Sequence, residues 1–431
     1  MAHSSRLFDG PGHLKQVVRF TYRRDESLEA ALQELNLTAL GKFEYDGLPL
    51  GKLITPSLQW ILRRYHLIED ETTLFLCREY ILSANNVARE FTSLLERVDP
   101  QAVVVFNGIL FPEATARFVA QARGYRVITH EVGLGEYTAF FTDGEATAYP
   151  IGIPEEFQLT PEQDARLDAY LEKRFHGKFS MAGIRFWPEM RGLDEGFLQK
   201  ARRFKQIVPV FTNVVFDTSQ VHAGVVFPHM FAWLDVVLEI IRTHPETLFV
   251  IRAHPDEMRL NKESRQSVRD WVLSNGGMNL DNVIFIDSQE YLSSYALIQQ
   301  SKFVLVYNSS IGLEAALMGA AVLCGGKARY TQYPIVFFPQ TSQDFRQQAE
   351  AFLAVDRIEV PPEFQRNARR FLYYQLFRTS LPFKDYLEEH TRPGFVRLRS
   401  FPWQKLTPDQ SPTMRVIMDG VLHETPFLLK D

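Results

Sequence analysis

The chain has 431 residues, 45% hydrophobic and 13% aromatic, and its 47 Lys and Arg against 52 Asp and Glu give a formal net charge of −5. That length fills two or three domains and that apolar fraction builds real cores, so disorder as the main state is excluded. The mildly acidic balance gives no reason to expect a nucleic-acid partner, and it leaves room for a locally basic cleft.

Residues 1–12 are polar and glycine-bearing and read as a loose end or tag remnant, outside the fold. Val17–Tyr22 offers the one strand before position 100. Residues 26–40 and 56–66 have helical spacing of apolar positions, and 80–98 reads as a longer amphipathic helix. Residues 101–106 form a nearly continuous apolar run, the mark of a buried parallel strand. A Pro-opened helix at 112–123 and a strand at 125–129 complete a βαβ unit, whose strand ends present Asn107 and the segment His130–Glu136. Residues 154–204, rich in charge and aromatics, read as a helical connection.

From Ile207 an α/β alternation repeats: strands at 207–212, 247–252, 283–286, 303–307 and 320–324, with helices at 228–243, 262–274, 291–300 and 310–318 between them. Such alternation specifies a doubly wound parallel sheet. The tail opens with Pro361-Pro362 and an arginine-rich helical stretch. Three regions follow: 13–204, 205–360 and 361–431. A complete first Rossmann-like domain starts with a strand and a glycine turn, so the first half is expected to be reduced or to lack an initial segment.

No apolar run reaches the eighteen or so residues of a spanning helix and no secretory pattern opens the chain. Any membrane association must be peripheral. Cys77 and Cys324 lie far apart in apolar surroundings, reading as buried thiols of a reducing compartment, with cytoplasm the default.

Two strand ends carry the chemistry. Val304-Leu305-Val306-Tyr307-Asn308-Ser309-Ser310-Ile311-Gly312-Leu313-Glu314 runs an apolar strand into a polar turn that opens a helix, where unpaired amides and small hydroxyls can hold phosphate. The plain alternative is that Ser309 or Ser310 only caps that helix. Phe249-Val250-Ile251-Arg252-Ala253-His254-Pro255-Asp256-Glu257 ends in a charged turn, and strand ends at the carboxyl edge of a parallel sheet share one crevice. Arg252 and His254 would approach a phosphate from the side opposite the serines, unless Arg252 pairs structurally with Glu257.

With these turns the chain resembles the bacterial capsule polysaccharide biosynthesis proteins, which include Kdo transferases, and more distantly bacterial sialyltransferases. The resemblance rests on His254-Pro255, Ser309-Ser310, Phe211–Asp217, Ser293–Leu297 and Gly312–Gly319, and less closely on Phe106-Asn107-Gly108 and His130–Gly133. It is strongest from 205 onward. Where relatives often carry Gly-Phe-Thr after the last motif, this chain has Tyr333-Pro334-Ile335-Val336. The resemblance implies an α/β GT-B fold, two Rossmann-like domains facing a cleft, with C-terminal helices over 363–390 crossing back to the first. It also implies a nucleotide-sugar donor as substrate, a CMP-activated ulosonic acid such as Kdo among the choices, and a glycan acceptor.

Glycosyl transfer needs a stabilised leaving phosphate, a deprotonated acceptor hydroxyl and an oriented donor. Arg252, His254, Ser309 and Ser310 can supply the first without a metal, and no Asp-x-Asp strand end argues for one. Glu131, after a strand and among Gly133 and Gly135, is the expected base or nucleophile, against a solvated loop glutamate as the plain reading. Asp217 is the second choice, with helix capping as its alternative. Thr212, Asn213 and Asn308 should face the nucleotide sugar, and Glu314 suits ribose hydroxyls or merely the helix dipole. Two rivals stand beside a glycosyltransferase: a teichoic-acid-type polyol-phosphate transferase, for which Arg366, Arg369 and Arg370 hint at a lipid-facing patch, and an inactive GT-B binding module.

Overall fold

The structure is a computed structural model that describes residues 18–175, 191–259, 262–391 and 395–431. The second α/β stretch forms an all-parallel sheet of Gln206–Phe211 (β4), Thr247–Arg252 (β5), Val283–Ile286 (β6), Val304–Val306 (β7) and Val322–Cys324 (β8). Its order is β6-β5-β4-β7-β8. Side chains alternate between faces: Val208, Val210, Phe249, Ile251 and Leu305 pack under Trp233 and Leu234 of helix Met230–Thr243 and Phe345 of helix Ser342–Ala354. Leu248, Val250, Val304 and Val306 pack on the other face against Leu313 of helix Ile311–Leu317 and Phe371 of helix Pro362–Tyr373. Covering both faces demands apolar residues at every strand position, so these strands read as continuous runs. The winding reverses between β4 and β7, and a crevice opens there at the carboxyl edge.

The first half departs from the expected doubly wound parallel sheet. Ala102–Phe106 (β1) and Arg126–Val132 (β2) pair in parallel through the crossover helix Glu113–Ala122, with Phe106 beside His130. Thr138–Thr142 (β3) then runs antiparallel to β2, and Leu381–Pro382 (β9) antiparallel to β3. One βαβ unit is all that is parallel. Residues 18–25 join no sheet, and Val17 lies outside the described residues. The Arg23 amide instead donates to Asn86 Oδ1 at 2.9 Å on the long helix Glu71–Val98. Helices replace the missing strands, and caps set their limits. Asp25 and Asn36 each accept an amide from the following turn, so 26–40 divides into Glu26–Leu32 and Leu37–Gly41. Asp70 likewise starts the long helix earlier than its apolar spacing shows. The periodic stretch 56–66 belongs to helix Leu50–Leu62.

The tail helix Pro362–Tyr373 ends in a π turn over Tyr374–Arg378, so helix does not extend to 390. Residues 381–382 become β9, and helix Pro412–His423 docks on the first sheet where the Arg126 guanidinium donates to the Gly420 and Val421 carbonyls at 2.9 and 2.8 Å. In the arginine-rich stretch Arg366 is exposed, whereas two neighbours are engaged within the protein. Arg369 pairs with Asp164 and Asp168, and Arg370 donates to the Pro154 and Glu155 carbonyls, tying the tail to residues 154–168. Among the described residues no helix is long and apolar enough to cross a membrane.

Glu257, in the turn after β5, is 1% exposed, and its Oε1 accepts the Val268 amide at 2.8 Å. Burial pushes its carboxyl up from 4.5 to about 8. Between these values the folded chain holds a proton that the unfolded chain has released, so stability falls as pH rises through that window. Glu257→Gln keeps the acceptor and removes the charge. It should stabilise the protein at pH 8 by on the order of 2 kcal/mol and have little effect near pH 4.5; equal melting shifts at both pH values would contradict this.

Candidate functional site

The crevice is braced at the point where β4 and β7 diverge. The Asn308 amide donates to Asn213 Oδ1 at 3.3 Å, and Gln220 Nε2 donates to Asn308 Oδ1 at 3.0 Å. Asn308 Nδ2 donates to the Ser219 carbonyl at 3.3 Å, so this carboxamide holds the loop after β4. Thr212 Oγ1 donates to the Arg252 carbonyl at 2.9 Å and ties β4 to β5. Thr212 and Asn308, expected to face the donor, therefore shape the crevice through bonds within the framework.

Neither serine caps the helix Ile311–Leu317: Ser310 stands at the N-cap with no side-chain bond to it. Ser309 is buried, its carbonyl accepting the Tyr330 hydroxyl at 2.8 Å, and Ser310 is exposed. Gly312 makes that contact feasible, because a Cβ there would lie 2.2 Å from the Tyr330 hydroxyl oxygen. Glu314 has another role than the one expected. Its Oε1 accepts Arg174 Nε and Nη2 at 3.0 and 2.5 Å, and its Oε2 accepts the Tyr295 hydroxyl at 2.5 Å. A buried, fully bonded ion pair of this kind anchors the helix Pro161–Phe175 to the sheet and leaves no oxygen for ribose.

Arg252 is 3% exposed and has no carboxylate within ion-pairing distance among the described residues. Its Nη1 reaches only the Glu290 carbonyl at 3.4 Å, and Glu257, the structural partner foreseen for it, bonds Val268 instead. Burial lowers the guanidinium to about 10, still fully charged at neutral pH. A buried guanidinium with no carboxylate in contact, and only the more distant Glu290 charge acting on it, attracts an anion. His254 Nδ1 accepts the Asp256 amide at 3.1 Å, which places the ring proton on Nε2. Desolvation lowers its pKa against the pull of Asp256 and Asp217, so the ring is a neutral donor. Asp217 Oδ1 accepts the Ser219 amide at 2.9 Å, a turn bond ahead of the helix Gln220–Ala223 and not a cap of it, while its charge acts on both His254 and Glu131.

Glu131 arrives from β2. It is partly buried, with Asn107 Nδ2 donating to Oε2 at 2.6 Å and the Val132 amide to Oε1 at 2.8 Å. Desolvation raises its pKa, Asp217 adds to the rise, and the amides and Arg329 oppose it. It is therefore no freely solvated loop glutamate. Asn107 has φ of 60°, and its Oδ1 accepts the Ile109 and Leu110 amides at 3.2 and 3.3 Å, which aims its Nδ2 at Glu131. Residues in such sparsely populated conformations concentrate at functional sites. Arg329 lies over the Tyr149 ring at 4.0 Å, and the Tyr149 hydroxyl donates to the Val132 carbonyl at 2.6 Å, one residue from Glu131. Arg329 joins the site without having been singled out for it, and Asn107, placed by the sequence at a strand's carboxyl edge, had been given no role there. The Asn-Gly pair after an apolar strand was a readable sign of a left-handed turn; Arg329 had no such sign. A second link crosses the crevice where His222 Nε2 and Thr147 Oγ1 lie 2.7 Å apart and Glu145 bridges Arg117 and His222. Among the described residues no group of three or more His, Cys, Asp or Glu is placed to hold a metal ion.

The crevice residues of the second half fall inside one matched segment. Residues 187–353 match the family model of capsule polysaccharide biosynthesis proteins. Protein FixF of Sinorhizobium fredii (strain NBRC 101917 / NGR234) is 25% identical over 251 residues, 55% of this chain and 51% of that protein. The chain thus spans about half the length of that curated relative. Among solved structures, the β-Kdo 2,4 transferase KpsC of Thermosulfurimonas dismutans aligns with 64% of this chain and 79% of its own at 12% identity and a TM-score of 0.41. The β-Kdo 2,7 transferase of the same KpsC aligns with 72% and 85% at 13% identity and 0.39. The UDP-GlcNAc 2-epimerase of Neisseria meningitidis, bound to UDP-GlcNAc, aligns with 68% and 80% at 16% identity and 0.30. The matched segment holds Thr212, Asn213, Asp217, Arg252, His254, Asn308, Ser309, Ser310, Glu314 and Arg329, whereas Asn107 and Glu131 lie outside it.

Asn107→Gly preserves the left-handed backbone and removes the carboxamide that favours ionised Glu131. The carboxyl pKa then rises further, so the acidic limb of the kcat/KM profile should move to higher pH with a loss in kcat of about tenfold or more. An unmoved limb would show that Asn107 does not govern Glu131.

Proposed function

We propose that the chain is a glycosyltransferase that moves a sugar from a nucleotide-sugar donor to a glycan acceptor in capsule or related surface polysaccharide synthesis, acting in the cytoplasm. What supports this reading is that the Asp217 charge acts both on Glu131, from the first sheet, and on His254, from the second. The match of residues 187–353 to the capsule family supports it.

In this mechanism the donor phosphates lie between Arg252 and His254 at the end of β5 and Ser309 and Ser310 at the end of β7. The unpaired guanidinium neutralises charge that grows on the departing phosphate, and His254 Nε2–H donates to a phosphate oxygen. These groups supply positive charge that a metal ion supplies in other transferases. Glu131, its pKa raised by burial, takes the proton from the acceptor hydroxyl as that oxygen attacks the sugar carbon. The Asp217 charge pulls the His254 pKa upward against desolvation and so favours a proton on the ring, and Asp217 is the alternative base. CMP-linked donors come first among those to test.

A thermal-shift screen of CMP, CDP, UDP and GDP with their sugar conjugates should single out one nucleotide. The double variant Ser309→Ala, Ser310→Ala should lose that shift while its own melting temperature stays nearly unchanged, since neither hydroxyl caps the helix. Retained affinity in the double variant would remove the serines from the phosphate site. His254→Ala should lower turnover by about 10²-fold. Glu131→Gln should abolish transfer and preserve donor binding; a fully active variant would shift the base to Asp217.

A further inference from the structure

A cavity of about 400 Å³ lies between the helix Leu50–Leu62 and the loop after β4, large enough for a small-molecule site by the usual range of roughly 300–1,000 Å³. Asp217 lines it and also acts electrostatically on Glu131 and His254, so an occupant of the cavity borders the reacting centre. Beyond β8 the two halves are closed against each other. There the Ile151 amide donates to Gln332 Oε1 at 3.0 Å, the Ile153 amide to the Tyr333 hydroxyl oxygen at 2.7 Å, and that hydroxyl to the Ile151 carbonyl at 2.8 Å. Access for a chain-like substrate is therefore on the side of the cavity.

The lining has two chemistries. Pro56, Val215 and Phe216 give apolar wall, suited to the C–H face of a pyranose, and Thr218 with Asp217 gives hydrogen-bonding groups for its hydroxyls. Lys52 is the one cation among the described lining residues, and it has no carboxylate within ion-pairing distance among the described residues. It stands on the first-half wall, whereas Asp217 stands on the second-half wall. A neutral sugar would leave the ammonium unused. A sugar acid would direct its carboxylate to Lys52, away from repulsion by Asp217, and turn a hydroxyl toward the reacting centre.

We infer that this cavity receives the terminal sugar of the acceptor and that this sugar carries a carboxylate held by Lys52. The inference rests on the transferase reading for the word acceptor; the anionic-sugar site itself is independent of it. The experiment is saturation-transfer NMR of the full chain with methyl β-D-glucuronoside and methyl β-D-glucoside as probes, on wild type, Lys52→Ala and Lys52→Glu, with nucleotide thermal shifts on the same samples. Lys52 is exposed, so both variants should fold. The glucuronoside should bind about fivefold more tightly than the glucoside, Lys52→Ala should erase that preference and Lys52→Glu reverse it, with the nucleotide shift unaltered. Equal binding of both probes, binding of neither, or a preference that survives Lys52→Ala overturns the inference. A missing nucleotide shift with the glucuronoside preference intact counts against the transferase reading instead.

Discussion

The crevice depends on one short hydrogen-bonded relay, from the Asn308 amide to Asn213 and from Gln220 back to Asn308. It stands where β4 and β7 part, the position in a doubly wound sheet at which two neighbouring strands send their loops in opposite directions and leave a gap. Unbraced, the loop after β4 would be a surface segment with its own freedom. Braced, it carries Asp217 to a fixed place opposite Glu131, and the turn that bears Ser309 and Ser310 is set at the same moment. One backbone amide and three carboxamides do this without any charge, so the charged groups of the crevice remain available for chemistry.

Two arginines show the difference between structure and site. Arg174 donates to Glu314 and to the Tyr170 hydroxyl in the interior, and the other Glu314 oxygen accepts the Tyr295 hydroxyl. Arg252, just as buried, meets one carbonyl at long range. Desolvating a guanidinium costs several kcal/mol, and a fold keeps such a cost where a ligand offsets it. The same contrast separates Glu257, bonded within its turn and raised by burial, from Glu131, whose carboxyl is raised by burial and also acted on by the Asp217 and Arg329 charges.

Much of the second half was legible because its strands must be apolar throughout and its helices amphipathic; all five strands appear within a residue or two of their apolar runs. The first half was less so. β3 is five residues whose partners are an earlier strand and a two-residue segment near 381, and no local pattern announces a pairing across that distance. At the site, Glu131 and the two strand-end turns could be read from strand-then-glycine and strand-then-polar patterns. What those patterns lack is the partner of each group: that Glu314 faces Arg174, that Asn107 points at Glu131, and that Arg370 meets carbonyls rather than solvent all depend on tertiary placement.

The joining of β9 to β3 has a consequence for how the chain acquires its shape. Residues 138–139 pair with 381–382, so the first sheet gains its last strand only after the whole second sheet, 206–324, has left the ribosome. Apart from the β4–β7 pairing, the second sheet is built from neighbours in sequence and closes within residues 206–324, whereas the first waits on contacts of higher separation, which form slowly. During synthesis the half that supplies Glu131 is thus the last to mature, and nucleotide-binding competence should precede catalytic competence along the nascent chain.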